Sequence, residues 1–307
     1  MAGRDEHEVE ANVGDSFDQE RLVRHNDRMR AEDEKRRHDD MELQAHTAHL
    51  RMRLGDFYIR SGKITRAIAE YKHAVRMDQG NGVFRTRLGD SYVLRDMVEQ
   101  AMDQYRKAIR SDPELPDPRV SLGDVYLRFG MNVEALAQYR VAVDLEPTRA
   151  YYRFKLACTC AAVGDTEEAK RQMGEAVSLA PTDAFYRFRL GDLYCRTGQV
   201  ENAVAELGQA TQLAPYDSYY LVRYAVVSLG AGRIIEAIDA FRSALELEPH
   251  NRCYRVLLAD AYSEAGLAEE AAGMLTAAGP LDSYEMKFVG RRRLEMNRAE
   301  NDAAGAV

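Results

Sequence analysis

Cysteine is scarce in this 307-residue sequence, with only four residues, Cys158, Cys160, Cys195 and Cys253. Their spacing lacks the paired pattern of a zinc ribbon, and a chain this large needs no disulfide framework. No run of about 18 uncharged apolar residues occurs, so no membrane span is expected. The opening MAGRDEHEVE holds four acids, one Arg and no apolar run, unlike a secretory signal or transit peptide. The balance is not basic: the formal net charge is −8 and the isoelectric point about 5.5. A dedicated nucleic-acid binder is usually basic, so no nucleic-acid partner is expected. Together these features point to a reducing, cytoplasmic setting.

Catalytic signatures are missing too. Neither a phosphate-binding G-x-x-x-x-G-K-S/T, nor G-x-S-x-G, nor H-E-x-x-H occurs. His7, His25, His38, His46 and His49 gather near the front; only His46 and His49 stand one helical turn apart, two ligands where a structural site takes four. Cys158 and Cys160 lie two apart in a helical stretch, where side chains diverge. The expectation is no enzyme, no metal and no cofactor.

What is present is a period. FRTRLGDSY at 84–92 and YRFRLGDLY at 186–194 echo LRMRLGDFY at 50–58. Leu54 recurs every 34 residues as Leu88, Leu122, Leu156, Leu190, Tyr224 and Leu258, followed each time by Gly or Ala. Thirteen residues after that column stands Ala (Ala67 to Ala271), and seven further on Ala again (Ala74 to Ala278). A bulky residue lies between: Tyr71, Tyr105, Tyr139, Met173, Leu207, Phe241, Leu275. Five columns in register over seven periods define seven units counted from residue 48.

Each unit reads as two helices. The first stops at Gly62, Gly130, Gly164, Gly198, Gly232 or Gly266, with Asp96 replacing Gly in the second unit. The second ends before Pro113, Pro147, Pro181, Pro215 or Pro249, and Asn81, Asp183, Asp217 and Asn251 N-cap the next unit. Gly or Ala facing Ala lets two helix backbones approach closely while the Leu and Tyr columns fill the remaining space.

This pattern, L-G-x-x-Y, then Ala, an aromatic, Ala and Pro, resembles the tetratricopeptide repeat over residues 48–285. The resemblance implies an all-α, right-handed superhelical solenoid of about seven helix-turn-helix repeats with a C-terminal capping helix, the first helices lining a concave groove. One departure is systematic. Where the family places Trp, this chain has Arg51, Arg85, Arg119, Arg153, Arg187, Leu221 and Arg255, and the Arg heads are expected to stack on Tyr.

The ends break the period. Residues 1–38 are charged and poor in apolar residues, a flexible or helical lead, and Asp39 with Glu42 has the form of a helix start. Residues 39–285 form the repeat domain and residues 286–307 the capping helix and tail, where Tyr284, Phe288, Val289 and Leu294 are expected to cover the last pair. Arg291, Arg292, Arg293 and Arg298 make that tail basic.

In the family the groove is faced by one stripe of the first helices. Here it carries Arg53, Arg87, Lys155, Arg189 and Arg223, with Asp56, Asp90, Asp124, Asp192 and Asp260 beside them and Arg60, Arg128 and Arg196 at i+4. A ladder of internal ion pairs, each worth tenths of a kcal/mol, accounts for the charges. It does not account for Tyr151, Phe154, Phe185, Phe188 and Tyr219 on the same stripe, which suit a peptide-binding groove. Repeats four to six are therefore the expected contact site, with Arg189 and Arg223 orienting an acidic or polar group and Phe188 a groove ring rather than a core ring. The Lys and Asn positions by which some relatives grip a chaperone C-terminus hold Met52, Thr86 and Val120, then Asp56, Asp90 and Asp124. The function expected is a scaffold holding a protein or peptide segment. The alternative is a structural subunit or assembly factor bound through its ends or edges.

Overall fold

The computed structural model describes the backbone of residues 6–304 and the side chains of residues 28–297. The side chains of His7, His25 and Arg298 lie outside the described residues. Among the described residues the chain is all α: fifteen helices and no strand. By contact it divides into two compact units, residues 1–122 and 123–307.

The first unit contains α1 (Glu6–Arg60), α2 (Ile64–Met77), α3 (Gly82–Val93), α4 (Val98–Ser111) and the start of α5 (Asp117–Arg128). Helix α1 runs unbroken through Asp39, so that residue starts no helix; instead His38 and Glu42 pair across one turn at 3.2 Å. Helices α1 and α2, then α3 and α4, pack as antiparallel neighbours over the small-residue columns, with Ala67, Ala74, Ala101 and Ala108 fully buried. Phe84, Leu88, Ser91 and Tyr92 are buried on one face of α3, as their helical spacing requires.

The second unit continues with α6 (Asn132–Leu145), α7 (Ala150–Ala162), α8 (Thr166–Leu179), α9 (Ala184–Arg196), α10 (Val200–Leu213), α11 (Ser218–Gly230), α12 (Ile234–Leu247), α13 (Arg252–Glu264), α14 (Ala268–Ala278) and α15 (Ser283–Ala304). Pairs α7–α8, α9–α10, α11–α12 and α13–α14 each form one repeat, and the second helix of one packs on the first helix of the next.

Local chemistry sets the boundaries. Gly62 and its five counterparts have φ between 70° and 88°, and Asp96 adopts φ 59°, the one non-glycine positive φ among the described residues. Asn81, Asp183, Asp217 and Asn251 each accept a backbone N–H of the following helix through Oδ1, at 2.9–3.2 Å.

Candidate functional site

The charged stripe of the first helices is built in a fixed register. Three of the five carboxylates accept from the Tyr fifteen residues on, in their own second helix: Tyr71 to Asp56 at 2.6 Å, Tyr105 to Asp90 at 2.8 Å, and Tyr139 to Asp124. Burial, and then the bond to the carboxylate, push the Tyr71 and Tyr139 phenols well above their ordinary value. Asp90 is itself pushed up by burial.

The other partner comes from the next repeat, thirty-one residues on. Ser121 donates to Asp90 at 3.2 Å, Lys155 meets Asp124 at 2.9 Å, and Arg223 meets Asp192 at 2.7 Å. Asp192 thus pairs with Arg223, and at these three steps the ladder links one repeat to the next. Burial opposes the charge of Arg223, but Asp192 and Glu295 outweigh it and hold its pKa above the ordinary value.

Of the residues expected to contact a partner, the structure brings Tyr151, Phe154 and Phe185 together. Phe154 lies 6.3 Å from Tyr151 and 5.0 Å from Phe185, the latter edge-to-face. Tyr151 and Phe185 are 43% and 40% exposed. Lys155 stands over the Tyr151 ring at 5.3 Å and Arg189 over Phe154 at 5.8 Å.

Phe188, Tyr219 and Arg223 form a second cluster of a different kind. Phe188 is a core ring, only 4% exposed, and Tyr220 stacks on it at 4.4 Å; Tyr219 stays 48% exposed at 5.4 Å. The expectation of a groove-facing Phe188 is corrected, because the first helix of the next repeat closes over it. Arg223 is buried and already satisfied by Asp192 and by Glu295 at 2.6 Å.

Glu295 belongs to α15, which packs on α11 and α13. Val289 and Met296 bury into the shared core, Phe288 packs against it, and Arg293 holds Asp260 through two bonds of 2.7 and 2.8 Å. Arg292 sits over Tyr219 at 5.6 Å. Tyr284 and Leu294 are exposed, contrary to expectation. The last helix therefore covers the first helices of repeats six and seven.

The Arg column in place of Trp also behaves differently from expectation. Instead of stacking on Tyr, Arg153, Arg187 and Arg119 donate to the carbonyl six residues earlier, that of Pro147 (2.8 Å), Pro181 (3.2 Å) and Pro113 (3.3 Å). Arg51, Arg153 and Arg187 also reach Glu70, Gln172 and Glu206, nineteen residues on, at 2.9–3.1 Å. Arg153 and Arg187, which make both bonds, fasten the inter-repeat loop to their own second helix. The signal was present: Glu70, Gln104, Gln138, Gln172 and Glu206 form a polar column, and where Arg becomes Leu221 the column becomes Ala240.

Among the described residues no group of three or more His, Cys, Asp or Glu is placed to hold a metal, and no helix is long and apolar enough to cross a membrane.

Models of the tetratricopeptide repeat match residues 48–81, 154–218 and 228–282, together about half of the chain. Among solved structures, PilF of Pseudomonas aeruginosa is 16% identical, the match covering 76% of this chain and 99% of PilF at a TM-score of 0.58. A tetratricopeptide repeat protein of Parabacteroides merdae is 14% identical over 82% of this chain and all of its own, with a TM-score of 0.54. YrrB, described as having an unusual peptide-binding site, is 19% identical over 64% of this chain and 97% of its own, with a TM-score of 0.51. At these identities the likeness is one of fold. No curated protein matches the sequence.

Proposed function

Since the chain belongs to the tetratricopeptide repeat family, whose repeats serve as protein-interaction scaffolds, we propose that it is a cytoplasmic adaptor holding a segment of a protein partner against the first helices of repeats four to six. The observation that carries this reading is the row of exposed rings, Tyr151, Phe185 and Tyr219, with the more buried Phe154 beside them and cations over Tyr151 and Phe154. Internal packing has no use for rings left this open beside cations, whereas aromatic and Arg side chains dominate binding hot spots. Phe188, Asp192 and Arg223 lie beneath and hold the stripe in place. Arg189 is the cation that meets the partner.

Capture of a cellular partner by the parent, with Phe154→Ala and Phe185→Ala as variants, tests this. Each ring removed should cost about 1 kcal/mol or more of binding and little stability. Arg189→Glu should weaken capture more at low salt than at high salt. Undiminished capture by all three variants refutes the groove.

One observation favours the end-bound reading: residues 28–46 of α1 are exposed along their whole length, a charged helical lead whose Gln44 donates to the Met77 carbonyl at 2.8 Å. Capture lost on deleting residues 1–38, and untouched by the groove variants, establishes that alternative.

A further inference from the structure

We propose that Arg189 marks a slot shaped for a carboxylate that a bound peptide supplies. The proposal rests on the groove reading above and adds the chemistry of its ligand.

The ladder itself defines what the slot lacks. In register, its steps are Asp90–Tyr105–Ser121, Asp124–Tyr139–Lys155, then Cys158–Met173–Arg189, then Asp192–Leu207–Arg223. The next step is Val226–Phe241–Leu257, where carboxylate and cation are lost together. At Arg189 alone the cation stays while its carboxylate and the tyrosine hydroxyl become Cys158 and Met173.

The consequence is physical. Arg189 Nη2 finds only the Cys158 sulfur, at 3.8 Å, and its Nε is buried with no hydrogen-bond partner among the described residues. A buried guanidinium N–H left unpaired is costly, and a thiol is a weak acceptor. A cavity of about 100 Å³ opens beside it, lined by Ala157, Cys158, Met173, Arg189, Asp192 and Arg196. Asp192 does not fill the need, because its charge is engaged by Arg223 at 2.7 Å. Arg196, exposed at the rim, adds a second positive charge. The rings of Tyr151, Phe154 and Phe185 lie next to this cavity through the Arg189–Phe154 contact, so a peptide lying on them brings its side chains to the opening. A carboxylate entering there restores what Asp124 and Asp192 supply in the neighbouring repeats.

Two measurements test the slot. The first needs no ligand: Cys158→Asp should melt several degrees above Cys158→Asn, because the internal carboxylate regains the guanidinium. Equal melting overturns the proposal. The second selects a displayed library of random linear peptides on the full chain and measures synthetic versions by fluorescence anisotropy. Exchanging one Asp or Glu for its amide, or amidating the C-terminus, should weaken binding about tenfold, and whichever does so identifies the source of the carboxylate. Cys158→Asp should erase that tenfold preference by occupying the slot. Peptides that require Phe154 and Phe185 yet ignore both the acid and Cys158→Asp overturn the slot and leave the groove standing. Peptides indifferent to Phe154→Ala and Phe185→Ala, or a library from which nothing is enriched, count against the groove and the slot alike.

Discussion

Gly89→Ala adds a single methyl group, yet the structure assigns it a definite cost. A Cβ at Gly89 would lie 2.5 Å from Tyr105 Cε1 and 2.9 Å from Cδ1 and Cζ, whereas carbon atoms in contact settle about 3.5–4.0 Å apart. The ring cannot withdraw, being buried and tied by its hydroxyl to Asp90 at 2.8 Å. Overpacking of this kind costs about 1–3 kcal/mol, and a shortfall of 1 Å against a fixed ring belongs at the upper end. Ala returns about 1 kcal/mol through helix propensity, leaving a net loss of about 2 kcal/mol. Gly174→Ala is the control: nothing lies within 4 Å of the added methyl, so propensity alone should stabilise by about 0.5–1 kcal/mol. The repeats also supply a rescue. Where the small column is Ala157, the facing residue is Met173, so Gly89→Ala with Tyr105→Met should cost less than the two changes summed. Thermal unfolding followed by circular dichroism reads all five proteins: the parent, the three single variants and the double variant. A Gly89→Ala protein melting at or above the parent, or strictly additive effects in the cycle, refutes the close-approach reasoning.

Three further outcomes are expected. Phe188→Ala should cost about 3–5 kcal/mol of stability, as for a core ring, while Phe185→Ala costs under about 1 kcal/mol; comparable melting temperatures for the two contradict the burial difference. Burial pushes the Cys160 and Cys195 thiols up to about 11, so at neutral pH both should resist iodoacetamide until the chain is unfolded, as read by mass spectrometry; rapid native labelling of either disproves it. Burial raises the Asp90 pKa above its unfolded value, so its contribution to stability is whole below the unfolded carboxylate pKa and is lost as pH rises through the folded one. Asp90→Asn keeps the oxygen that accepts from Tyr105 and Ser121, so it should raise the melting temperature at neutral pH and flatten the pH profile; a lower value at neutral pH overturns this.

The helix pairs were legible because every repeat meets the same neighbours, so the residues governing close approach, termination and capping return at one spacing. Asp96 is the sharpest instance: it stands where the other repeats have Gly, and it takes the same left-handed conformation. Contacts between repeats, and contacts outside the period, were not legible. Phe188 follows Phe185 by three residues and precedes Asp192 by four, so helical spacing places all three on one stripe. Its burial comes from Tyr220, in the following repeat, and the spacing within α9 is silent about that ring. Glu295 lies seventy-two residues from Arg223, in a helix with no counterpart among the repeats. Val289 was expected to dock and is buried; Met296, seven residues on, shares its face and was missed, while Tyr284 and Leu294, five residues either side of Val289, fall on the open side of α15.

A repeated sequence supplies internal controls that a single domain lacks, and these separate structural charges from functional ones. When two columns change in the same repeat, as Arg to Leu221 with the facing Gln to Ala240, the pair existed for the pair's sake, and losing both leaves nothing unsatisfied. Val226 with Leu257 is the same case in the charged ladder. When one column changes and its partner stays, the retained member must find another acceptor, as Arg255 facing Met274 finds the carbonyls of Pro249 and Ala277, or bear the cost of desolvation. Arg189 is in that position, with an unpaired buried Nε and a sulfur for company. A cation kept at such a cost, beside rings kept half exposed, makes physical sense if a ligand completes the step, and this is why binding should be sought around Arg189 and the rings of repeats four to six rather than at the saturated Arg223.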